Sequence, residues 1–179
     1  MGVRERPRTA AVAGVEPSAL LTLRWGTWRG RSIAGAMLIL GGLVGLQAAN
    51  TDFLLPLIWG TAAHTIGWWI MPSDGWRRHV VVFPAGVQIW LLLTGPQSMW
   101  TLAIPLACWL LVRHRPWRSW IVLLFVVGNG ILMAELFSEY SAMLPALGIS
   151  LAVVVASAWM ARTIAGVGRI PSRNAARVR

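Results

Sequence analysis

The chain contains no lysine: all 16 of its basic residues are arginine. A lysine Schiff base is therefore excluded, and with it retinal- or pyridoxal-type attachment. Cysteine is nearly absent, with Cys108 alone, so there is no intrachain disulfide and no CxxC redox or zinc motif. A thiol mechanism would rest on Cys108 beside Trp109, with no base in view. Histidine occurs at three positions, His64, His79 and His114. No HExxH run exists, which removes an intramembrane metalloprotease. Paired glutamates of the CAAX-protease kind are lacking, as is a GxSxG-like nucleophile motif. No serine is expected at the depth of His64 on its own or adjacent spans, so a rhomboid-like serine–histidine pair is not expected. A dihaem cytochrome needs paired axial histidines inside the membrane, and only His64 lies deep. No metal and no cofactor are expected.

Charge is scarce as well. Charged residues are 12% of the chain and hydrophobic ones 56%, whereas a soluble domain carries about 25% charged residues. With a mean hydropathy of +0.62, the expectation is an all-α integral membrane protein. Apolar stretches run at about 32–49, 53–71, 79–94, 98–112, 119–137 and 143–164. The first, second, fifth and sixth hold at least 18 residues, enough to cross a core of roughly 30 Å. The third and fourth are shorter and as α-helix span only roughly 22–24 Å. They need a thinned bilayer, or they form a re-entrant pair.

Arginine placement sets the orientation. Six arginines precede the first stretch, Arg77 and Arg78 lie between the second and third, and Arg113, Arg115 and Arg118 between the fourth and fifth. Five more end the chain, while the alternate connections "NTD", "GPQ" and "SEYS" hold none. By the positive-inside rule, all arginines face the cytoplasm, and so do both termini. The expected architecture is a polytopic bundle of six spans, arranged as three helical hairpins, in a bacterial-type plasma membrane. The net charge of +10 then faces anionic lipid head groups rather than nucleic acid. Arg77, Arg78, Arg113, Arg115 and Arg118 are the candidate head-group residues.

The expected organisation is a disordered basic tail over 1–16, an interfacial segment over 17–31, a transmembrane domain over 32–165 and a second basic tail over 166–179. The basic leader is too long for a cleaved signal peptide, and no A-x-A-like site follows the first span. Each hairpin restarts at a Trp-Arg pair and carries a proline 28, 29 or 28 residues after its tryptophan, at Pro56, Pro105 and Pro145. Two readings account for this: three related hairpins, or interfacial aromatics with prolines that mark helix starts.

Inside the membrane, Gly60, His64, Gly67 and Trp68 share one helix face at spacings of three and four. Gly41 and Gly45 form a GxxxG, so Gly41, Gly45, Gly60 and Gly67 are candidate helix-contact positions. His64, Gln88 and Asn129 fall at comparable depth, and Glu135 near the outer end of its span. These four are the candidate ligand-binding residues, with interhelical hydrogen bonding as the competing role. Among the 12 tryptophans, only Trp59, Trp90 and Trp109 lie deep enough to line a cavity. Two functions follow. One is a small-solute binding or transport unit with a polar mid-membrane pocket, resembling in size and span count alone the substrate-binding subunits of energy-coupling-factor transporters. The other is a non-catalytic accessory subunit, held by small-residue faces to a membrane-protein partner or a second copy.

Overall fold

A computed structural model describes residues 17–20, 23, 25–50 and 52–167. The N-terminal tail, the C-terminal tail from residue 168 on, and Leu21 and Arg24 of the interfacial segment lie outside them. The described residues contain six α-helices and short 3-10 stretches, with no strand. The helices are α1 (Trp28–Gln47), α2 (Leu55–Ile70), α3 (Gly75–Leu91), α4 (Ala103–Val112), α5 (Leu123–Leu136) and α6 (Met143–Val167).

Local chemistry sets the boundaries. The Thr27 hydroxyl accepts the Gly30 amide at 3.1 Å and caps α1. Before it, the interfacial segment holds a 3-10 turn at Pro17–Leu20. Between α1 and α2, the Asn50 side-chain oxygen accepts the amides of Asp52 and Phe53 at 3.0 and 2.8 Å. This Asx turn separates α1 from α2. So α2 has 16 residues, shorter than the apolar stretch over 53–71. Pro56 and Pro145 lie in the first turn of their α-helices, where a missing N–H has no intrahelical partner to lose, whereas Pro105 follows the 3-10 stretch Pro96–Leu102 without a break.

The helix ending at Val112 closes with a Schellman motif. The His114 amide reaches the Leu111 carbonyl at 3.2 Å and the Arg115 amide the Leu110 carbonyl at 3.0 Å. His114 occupies the left-handed position at φ 54°, where glycine is usual.

Three stretches are long and apolar enough to cross a membrane: Trp28–Gln47, Trp117–Leu136 and Met143–Gly166. Large apolar side chains face outward on α1, α2, α3, α5 and α6, among them Met37, Trp59, Phe83, Leu124 and Leu144, and Trp100 does so just before α4. A soluble monomer rarely exposes so much contiguous apolar surface, and the chain reads as a membrane protein. Pro96–Leu102 is 3-10 helix leading into α4. A 3-10 helix rises about 2.0 Å per residue, so Pro96–Val112 reaches about 29 Å instead of about 26 Å. That stretch packs deep against α5, where a Cβ on Gly130 would run into the backbone of Met99 and Trp100. Leu46, Ile89, Leu92, Met99, Leu110 and Val122 are wholly buried around this contact.

The described arginines gather at one pole. The Arg31 Nε donates to the Ile70 carbonyl at 2.8 Å and Arg77 Nη1 to the Leu111 carbonyl at 2.9 Å. Each meets a carbonyl at or near a helix C-terminus, at the negative end of the dipole, and the Leu111 carbonyl accepts from both Arg77 and the His114 amide. Across the same pole, the Ser119 hydroxyl donates to the Ala161 carbonyl at 3.0 Å, tying the segment before α5 to the end of α6.

Candidate functional site

The site begins with how α1 and α2 meet. Gly35 and Gly42 are seven residues apart, as are Gly60 and Gly67. A seven-residue spacing returns to the same helix face. Run antiparallel, the two pairs oppose one another. A Cβ on Gly42 would lie 2.5 Å from the Gly60 carbonyl, and one on Gly35 2.9 Å from the Gly67 carbonyl. The backbones touch, which only residues without a side chain allow.

Of the glycines expected at contacts, Gly60 and Gly67 are in this seam and Gly45 lies in ordinary contact with Gly60. Gly41 is not: nothing stands within 4 Å of its Cβ direction. The physical reason is helical phase, since Gly42 is turned about 100° from Gly41 and takes the facing position.

The seam fixes His64, which is 2% exposed. The Trp68 indole N–H donates to His64 Nε2 at 3.0 Å. Nε2 therefore accepts, which places the proton on Nδ1, and Nδ1 donates to the Ile39 carbonyl at 3.2 Å. Both ring nitrogens are engaged. His64 is a neutral bridge from α2 to α1, and its nitrogens are not at the disposal of a nearby nucleophile.

Beside this bridge lies a cavity of about 290 Å³. Ser32, Ala36, Ile39, Leu40 and Leu43 of α1 form one wall, and Leu151, Val154, Val155 and Ala158 of α6 the other. His64, Trp68, Gln88, Leu106 and Trp109 close its back. Leu40 and Val155 line it and are themselves exposed, so the cavity opens sideways between α1 and α6. The volume lies near the lower end of small-ligand pockets.

Two polar groups there lack partners. Gln88 is 1% exposed and its Nε2 has no hydrogen-bond partner. Ser32 is 8% exposed and its hydroxyl likewise has none. An orphan donor in an apolar site costs about 1–3 kcal/mol. Their placement on a cavity wall makes an oxygen acceptor inside the cavity the natural complement.

Arg113 lines the arginine-side end. Its guanidinium lies 4.6 Å from the Trp28 ring and 5.5 Å from the Trp109 ring. Trp28 is one helical turn before Ser32 on α1, and Ser32 and Arg113 both line the cavity. Trp28 is itself held by its indole N–H, 3.3 Å from the buried Ser18 hydroxyl. Behind the rim, His114 sits 3.5 Å from Asp74. Burial and the nearby Arg77 charge hold its pKa below the ordinary histidine value, against the opposing pull of Asp74.

The structure brings together two of the four candidate ligand residues. His64 and Gln88 share the cavity. Asn129 instead donates to the Ser150 hydroxyl at 2.9 Å, joining α5 to α6. Glu135 is exposed at the end of α5. Of the three deep tryptophans, Trp109 lines the cavity, whereas Trp59 and Trp90 are 71% and 46% exposed. Arg77 and Arg78 lie by the helix ends of the arginine pole, Arg115 lies 5.7 Å from the Trp109 ring and Arg118 is exposed. Sequence reasoning missed Ser32, whose only signal was its position one turn after Trp28. Cys108 is buried, its thiol 3.8 Å from the Val81 carbonyl. Among the described residues no three His, Cys, Asp or Glu side chains are grouped to hold a metal ion.

No protein-family model matches this chain, and neither a curated protein nor a solved structure does.

Proposed function

We propose that the chain is a six-span protein of a bacterial-type plasma membrane, with both ends cytoplasmic, which binds or passes a small solute in the cavity between α1 and α6. Clustering of the described arginines at one pole supports the orientation. The 3-10 stretches support full crossings, because they restore reach to the short fourth span. The observation that carries the binding reading is Gln88: a wholly buried amide with an orphan donor on the cavity wall. Native mass spectrometry of the protein, extracted gently from its host membrane, tests it. A discrete small-molecule mass that disappears in Gln88→Leu supports the reading; a protein with no bound mass beside a folded, equally bare variant counts against it.

A second reading, an accessory subunit of a larger membrane complex, is favoured by one outer surface. Gly148, Ala152 and Ala156 form an exposed small-residue row on α6, the kind of face on which another helix packs closely. The same spectrum would then show a bound protein subunit, released by Ala152→Leu.

A further inference from the structure

We propose that the occupant of the cavity is a phosphate-bearing lipid drawn sideways from the arginine-side leaflet, its head group at Arg113 and Ser32 and one chain between α1 and α6. This rests on the binding reading above and names its ligand class.

Three observations converge. The first is length. Along α1 the cavity runs from Ser32 to Leu43, about 16 Å at the helical rise. One leaflet of a hydrocarbon core is about 15 Å deep. A chain that begins at the rim therefore ends where the leaflet ends. The second is chemistry. Below the rim the walls are aliphatic, with Ala36, Leu40, Leu43, Val154 and Ala158. At the rim stand a guanidinium held against two tryptophans and a buried serine hydroxyl with no partner. A guanidinium fork matches phosphate oxygens, and a hydroxyl adds a further donor. Arg31 and Arg78 at the same pole add positive potential. The third is access. Leu40 and Val155 are exposed at the opening, so a lipid reaches the cavity without leaving the bilayer.

Gln88 lines the deep end of the same cavity.

The test uses the full chain in detergent, with retained lipid read by native mass spectrometry. Four probes are offered: phosphatidic acid, diacylglycerol with the same chains, inorganic phosphate, and no addition. Phosphatidic acid is expected to be retained about tenfold over diacylglycerol, the weight of one charge-assisted contact. Arg113→Gln and, independently, Ser32→Val are expected to reduce that preference. Ala158→Trp, which fills the cavity, is expected to remove all retained lipid. Equal retention of diacylglycerol, or an unchanged preference in both rim variants, overturns the head-group assignment and leaves the cavity reading intact. Inorganic phosphate that displaces phosphatidic acid at equal concentration overturns the role of the chain. Retention that Ala158→Trp leaves unaltered overturns the cavity reading itself.

Discussion

Gly42 and Gly60 meet backbone to backbone, and each would drive a Cβ into the other's carbonyl oxygen, at 2.5 and 2.7 Å. Neither atom belongs to a flexible side chain, so nothing yields cheaply. Gly42→Ala and Gly60→Ala are each expected to cost about 1–3 kcal/mol, the range for overpacking a tight contact. Gly41→Ala, one position away, meets open space and is expected to stay within about 0.5 kcal/mol of the parent. Unfolding of the three variants in mixed micelles measures this; a Gly42→Ala protein as stable as Gly41→Ala would refute the seam.

His64→Leu is expected to act on stability. It removes the donor to Ile39 and strips the Trp68 indole of its acceptor. Interhelical bonds in membranes are worth about 0.6–2 kcal/mol each, and the orphaned indole adds to the loss. Equilibrium unfolding reads the effect. An unchanged stability would show that the two bonds contribute nothing.

Gln88→Leu is expected to behave in the opposite way. The amide donor has no protein partner, so replacing it relieves a penalty of about 1–3 kcal/mol. Stability is expected to hold or rise while ligand retention falls. A variant that loses stability, with binding untouched, would recast Gln88 as a structural residue.

His114 gives a dependence on pH. Its folded-state pKa is lowered, chiefly by burial and then by Arg77. The unfolded chain therefore takes up the proton more readily, and protonation favours unfolding. Its contribution is fully present above the ordinary histidine value near 6.5 and is lost as pH falls from there through the lowered folded value. Melting temperature is expected to drop as pH falls below about 6.5. His114→Asn keeps a residue tolerant of the left-handed backbone and is expected to make the slope shallower. An identical slope in the variant would place the titration elsewhere.

Much of this arrangement was legible from residue spacing. The face that carries Gly60, His64, Gly67 and Trp68 follows from intervals of three and four, and these four are the buried residues of α2. On α1 the GxxxG pair was half right: Gly45 touches Gly60, and Gly41 faces open space. The informative signal was the equal seven-residue interval in Gly35–Gly42 and Gly60–Gly67. Depth was readable too, but azimuth was not. Asn129 lies level with the cavity by position in the chain, yet its helix turns it to Ser150. Nor does hydropathy distinguish 3-10 from α-helix, so the reach of Pro96–Val112 was understated.

The cavity takes its two long walls from α1 and α6, the first and last helices of the bundle, while α1 packs chiefly on α2. The glycine seam closes between neighbours in sequence and is ready as soon as the first hairpin has been made. The cavity has no such head start: during synthesis it acquires its second wall only when the sixth helix arrives. Occupancy is thus a mark of completed assembly, and a lipid settled between the two walls would fasten the earliest part of the chain to the latest.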